Sequence, residues 1–176
     1  MNQRTSRAFT LIELLITVSI ISILAGLTVL FSLSASDSAK AAVIISDMRN
    51  MKSAAIMYMY ERGTWPVWIY TGGSYVNRDG ANGAVLPDRY LNRMPVGDGY
   101  WVGVMKHPTV ASSAVVAADV SGLPYNIKEA IAEKASGIAI YGTETIGRQA
   151  PDLSSMTKFK PSDKGIIWII SSNFAL

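Results

Sequence analysis

Residues 9–35 read FTLIELLITVSIISILAGLTVLFSLSA, and no charged residue stands between Glu13 and Asp37. At 1.5 Å per residue that interval makes about 34 Å of helix, enough to cross a hydrocarbon core of about 30 Å. The residues before it, MNQRTSRA (1–8), are short, polar and basic, with Arg4 and Arg7 ahead of the apolar run. Basic residues on that side keep the N-terminus in the cytoplasm and send the remainder outward. A Sec signal peptide with a small-residue cleavage site near Leu33-Ser34-Ala35 and a plain single-pass anchor both fit this much. Neither accounts for Glu13. An acid near one end of a membrane segment is costly and by default functional, so it needs a partner. A cut between Ala8 and Phe9 would supply one. Phe9 would then carry a new α-amine four residues before Glu13, able to neutralise the carboxylate of a neighbouring subunit or of its own chain.

The run Arg7-Ala8-Phe9-Thr10-Leu11-Ile12-Glu13-Leu14-Leu15-Ile16 resembles the class III signal of type IV prepilins, pseudopilins and competence pilins. The resemblance implies that Ala8 is the last leader residue, that Phe9 is the mature, N-methylated start, and that Glu13 is the assembly glutamate. The family usually has Gly where Ala8 stands. Many of its members carry a mid-helix proline where this chain has only Gly26 as a weak point.

Residues 36–62 contain neither proline nor glycine, so the helix is expected to continue to about Arg62, roughly 80 Å from Phe9. Ile44, Met48, Met51, Ala55 and Met59 recur at spacings of three and four and form one apolar stripe suited to packing on a sheet. Lys40, Asp47, Arg49, Asn50 and Lys52 are expected off that stripe. Gly63 and Pro66 stop the helix. The segment 58–66 resembles the end of the long helix in many pseudopilins. Leu86-Pro87-Asp88-Arg89-Tyr90-Leu91 through Gly97-Asp98-Gly99-Tyr100 is similar to a major-pseudopilin pattern.

Residues 63–99, rich in Gly, Asn, Asp and Pro, read as connecting loops. Strands are expected at 100–106, 114–118, 138–141 and 166–171. A helix is expected to open at Asn126, with Asn126 as cap, Glu129 completing a capping box, Ile127 and Ile131 on one face and Gly137 as the stop. The fold class is α+β: a long N-terminal helix, membrane-spanning in its first half, packed on a small antiparallel sheet head, pilin-like. The expected divisions are a leader at 1–8, a membrane or fibre-core helix at 9–35, its amphipathic continuation at 36–62, and a head at 63–176.

Catalytic chemistry finds little to stand on. His107 is the sole histidine and there is no cysteine, so zinc and thiolate sites have no ligand set. No serine lies in a Gly-x-Ser-x-Gly setting. Ser155-Met156-Thr157-Lys158 matches a Ser-x-x-Lys spacing without its companion motifs. Gly97-Asp98-Gly99 reads as a tight turn rather than a nucleotide loop. No cofactor is expected. Asp79, Asp88 and Asp98 are candidate calcium ligands, because pseudopilin heads can bind calcium in loops, but their spacing is not that of an EF-hand and solvated turns are the preferred reading. The net charge of +3 includes Arg4 and Arg7 and comes with no basic cluster, so nucleic acid is not an expected partner. The family resemblance implies a prepilin peptidase, other pilin or pseudopilin subunits, a platform protein and an assembly ATPase as partners. It implies residence in the cytoplasmic membrane and then in a filament. The alternatives kept beside this are an anchored or Sec-exported extracytoplasmic protein and a competence pilin acting in DNA uptake.

Overall fold

The computed structural model describes residues 9–71, 74–77, 89–91, 93, 95, 100–106, 114–144, 146 and 156–170. The chain divides into two compact units, Met1–Ser36 and Asp37–Leu176, and helix α1 (Leu11–Arg62) contributes to both.

In the first unit, the described side chains from Phe9 to Ser36 are exposed. Apolar residues surround the helix on all sides, as expected of a segment whose solvent is not water. The hydroxyls of Thr17, Ser19, Ser22 and Thr28 donate at 2.7–2.8 Å to carbonyls three or four residues back on the same helix. These polar groups are therefore satisfied without water, which an apolar surround requires.

In the second unit, α1 buries the predicted stripe. Ile44, Met48, Met51 and Ala55 are inaccessible to solvent or nearly so, and Met59 packs against them half-buried. The helix ends where Gly63 adopts φ +71° and its amide donates to the Met59 carbonyl at 2.8 Å. This left-handed end satisfies one of the last orphan carbonyls.

Among the described residues the sheet has seven strands, all paired antiparallel: β1 (Trp68–Thr71), β2 (Ser74–Asn77), β3 (Trp101–Lys106), β4 (Ala114–Asp119), β5 (Ile140–Thr143), β6 (Thr157–Lys158) and β7 (Gly165–Ile169). Its spatial order is β2-β1-β3-β4-β7-β5-β6, so β4 lies at the centre and the short β2 and β6 at the edges. Helix α2 (Tyr125–Ala135) lies between β4 and β5 in the chain. Val102, Val104, Val116, Ala118 and Ile166 share the main core with the α1 stripe and with Ile127 and Ile131 of α2. The alternate residues Met105, Val115, Ala117 and Ile167 form a second small core under Ile146 and Met156. The period-2 alternation of strands thus feeds two cores, and β4 is buried on both faces.

Four expectations change. The stretch 63–99 holds a β-hairpin: Trp68–Thr71 and Ser74–Asn77 pair with Thr71 opposite Ser74. The strand expected from Ile138 begins at Ile140, because Ile138 is held in a turn by the hydrogen bond its amide donates to the Ala135 carbonyl. Asn126 does not cap α2: Pro124 holds the cap position without a side-chain bond, and the Asn126 amide donates to Asp37 instead. Asp47 is not an off-stripe solvent residue. It is 1% exposed, its Oδ1 accepting from Arg93 at 2.6 Å and its Oδ2 from the Tyr100 hydroxyl at 2.5 Å. A carboxylate can be buried at a helix–sheet boundary when such donors meet it. Lys52 is half-buried as well, with Nζ donating to the Ile169 carbonyl at 3.2 Å and lying 4.9 Å from the centre of the Trp168 ring.

Candidate functional site

The expected site lies at the start of α1. Ala8 is outside the described residues, as are His107, Ser155, the Gly97–Gly99 turn and the aspartates Asp79, Asp88 and Asp98. Phe9 and Glu13 are described. Phe9 is 68% exposed just ahead of the helix, and Glu13 is the acidic residue of its first turn.

Thr10 and Glu13 close on one another. The Glu13 amide donates to Thr10 Oγ1 at 3.3 Å, while Glu13 Oε2 accepts from the Thr10 amide at 2.9 Å and from the Thr10 hydroxyl at 2.7 Å. This reciprocal pattern is a capping box, with Thr10 as N-cap and Glu13 three residues on. It satisfies orphan amides at the helix start, and it places a negative charge at the positive end of the helix dipole. Among the described residues Thr10 alone touches the carboxylate, and Oε1 accepts from none of them.

Thr10 is the residue that reading for a charge pair overlooks. Its signal was present as Thr-x-x-Glu directly before an apolar run, the usual spelling of such a box. The arrangement can hold one carboxylate oxygen on its own chain and offer the other outward. Among the described residues no group of three or more His, Cys, Asp and Glu could hold a metal ion. The same helix is long and apolar enough to cross a membrane.

Residues 3–29 match the prokaryotic N-terminal methylation motif. No curated protein matches the chain. The solved structure of the major type IV pilin PilA1 from Clostridium difficile is similar at 22% identity and a TM-score of 0.47, over 78% of this chain and 98% of that one. This chain carries the matched motif at the head of a 52-residue helix, and its second unit is built on an antiparallel sheet. Its motif and its long apolar helix fit anchoring in a membrane.

Proposed function

We propose that this chain is a subunit of a type IV pilus-like filament or of a type II secretion pseudopilus, cut between Ala8 and Phe9 by a prepilin peptidase and methylated on Phe9. The observation that carries the reading is the methylation motif running directly into a helix whose apolar side chains have no cover of their own. Before assembly, residues 9–35 span the cytoplasmic membrane with the head, 63–176, on the far side and 36–62 joining them. After assembly, the same apolar surface packs among its neighbours.

Glu13 guides entry into the fibre. The capping box holds Oε2, and Oε1 is left to receive the Phe9 ammonium of an adjacent subunit. Matching the two charges removes the cost of leaving either alone in an apolar core. A platform protein and an assembly ATPase supply the extraction work.

Mass spectrometry of the native N-terminus is the direct test. A polypeptide beginning at Phe9 with one added methyl group supports the reading. Retention of Met1, or a start near Ala35, overturns it. Glu13→Ala should leave membrane insertion unchanged and lower the share of subunits in filaments; equal incorporation would remove the charge-pairing step.

A further inference from the structure

We propose that the turn joining β6 to β7, with Lys128 of α2 behind it, binds a phosphate-type oxyanion: free inorganic phosphate or the terminal phosphate of a small monoester. The site lies wholly within the second unit and does not depend on the filament reading.

A buried cation needs a counter-charge, and Lys128 has none among the described residues. Its side chain is 9% exposed and belongs to the buried side of α2 with Ile127, Ile131 and Ala135. Its Nζ donates to the Asp163 backbone carbonyl at 3.4 Å. That bond is long and its acceptor is neutral, so two of the three ammonium donors and the whole charge are left over. The Asp163 carboxylate does not answer it. That group is buried too, but its Oδ2 accepts from the Lys160 amide at 2.7 Å and is turned toward Gly142, where a Cβ would stand 1.7 Å away. No ion pair joins Lys128 to Asp163. Holding an ammonium away from water without an anion is expensive, and an anion arriving at Nζ would lift that cost.

The turn supplies the remaining contacts. Residues 160–163 read Lys-Pro-Ser-Asp, and the Asp163 amide closes them by donating to the Lys160 carbonyl at 2.9 Å. Pro161 stands where a proline pre-sets such a turn. Closure brings the ends within about 7 Å, so Lys160 and Lys164 flank the carbonyl on which Lys128 rests. Lys158, Lys160, Ser162 and Lys164 are all exposed. Among the described residues nothing engages the Ser162 amide or hydroxyl.

The neighbouring acids are few and differently placed. Asp163 is spent within the turn. Glu144 is exposed beside Thr143, whose carbonyl accepts from the Lys164 amide at 3.0 Å. Glu129 follows Lys128 on the exposed side of α2. The unmatched charge is thus one recessed ammonium with lysines at its rim. A compact anion with several oxygens can meet the first with one oxygen and the rim with others. A phosphate monoester carries about −1.5 to −2 at neutral pH, which suits Lys128 and one flanking lysine. Lys128 and Asp163 are 35 positions apart, so no short stretch of sequence displays the site.

Acetylation of the full chain in detergent by acetic anhydride, resolved by peptide mass spectrometry, reads each lysine separately. Millimolar inorganic phosphate should slow acetylation of Lys128 several-fold and leave the exposed Lys40 of α1 unchanged. Potassium chloride at the same ionic strength should not protect Lys128. Lys160→Gln combined with Lys164→Gln changes exposed side chains only. It should raise the phosphate concentration for half-protection about fivefold. Lys128→Met should abolish the rise in thermal midpoint that phosphate gives the native chain. Protection by sn-glycerol 3-phosphate as well as by phosphate supports a terminal phosphate as the ligand; protection by phosphate alone supports the free ion. Equal protection by chloride means general screening and overturns the proposal. So does an unchanged acetylation rate at Lys128, or a double variant that phosphate protects as well as the native chain.

Discussion

Asp47 joins three parts of the second unit through one carboxylate: α1, Arg93 and Tyr100 at the entrance of β3. Removing it leaves a buried tyrosine hydroxyl without that acceptor and takes away a charge-assisted bond. Asp47→Ala is expected to cost about 2–3 kcal/mol, read as a lowered urea midpoint of the full chain in detergent. Gly142 offers a sharper steric case. A Cβ there would stand 1.7 Å from Asp163 Oδ2 and 3.1 Å from the Phe159 backbone. Asp163 is buried, with Oδ2 accepting from the Lys160 amide at 2.7 Å. Gly142→Ala must expel that carboxylate, and a loss of about 1–3 kcal/mol is expected in the same assay. Gly63→Ala meets no atom within 4 Å, so its cost is the left-handed φ alone, about 1–2 kcal/mol. At Glu61, the Tyr90 hydroxyl donating at 2.6 Å is the main influence holding the carboxyl below its ordinary value; a small loss of hydration opposes it, and Arg89 and Arg62 add to it. With a folded value depressed from 4.5, this group's contribution to stability is complete above that value and is lost as pH falls through the lower folded one. Tyr90→Phe should return the Glu61 titration, followed by NMR at its side-chain carboxyl carbon, toward that of a free glutamate. An unchanged titration would mean that the hydroxyl is not the cause.

At the scale of elements, β4 carries its residues into two cores at once. Val116 faces the α1 stripe, and Val115 faces the small core with Met105 and Ile167. Either valine to alanine is expected to cost roughly 2 kcal/mol, whereas a strand with one wet face would show the loss at alternate positions only. Which elements could be read beforehand follows from how local their causes are. The extent of α1 was legible because Gly63 and Pro66 punctuate it and a spacing of three and four marks its buried side. The hairpin of β1 and β2 was hidden by the glycines and asparagines around it, although Trp-Ile-Tyr-Thr and Ser-Tyr-Val-Asn flanking Gly72-Gly73 have hairpin composition. The burial of Asp47 could not be read from the helix, because its partners stand 46 and 53 residues away. The candidate site was half legible: Glu13 announced itself by its cost in an apolar run, while Thr10 looked like an ordinary polar neighbour.

At the scale of the whole molecule, the two compact units ask for different solvents. Phe9 to Ser36 presents apolar side chains outward, while Asp37 to Leu176 encloses its own two cores. Residues 37–176 expressed alone should therefore remain monodisperse in buffer without detergent and unfold cooperatively. The complete chain should need detergent to elute as one species in size-exclusion chromatography. If the shorter chain aggregates, the helix segment before Asp37 contributes to the fold of the second unit. The sheet bears on the same division of labour. Among the described residues its outermost strands are four and two residues long, so they offer little ladder for a foreign strand to extend. Lateral β-stacking along those edges is thereby discouraged in the filament proposed above, where identical copies would stand side by side. In that filament, order among copies would rest on the greasy rod, whose non-directional contacts leave freedom of axial position that a hydrogen-bonded ladder would forbid.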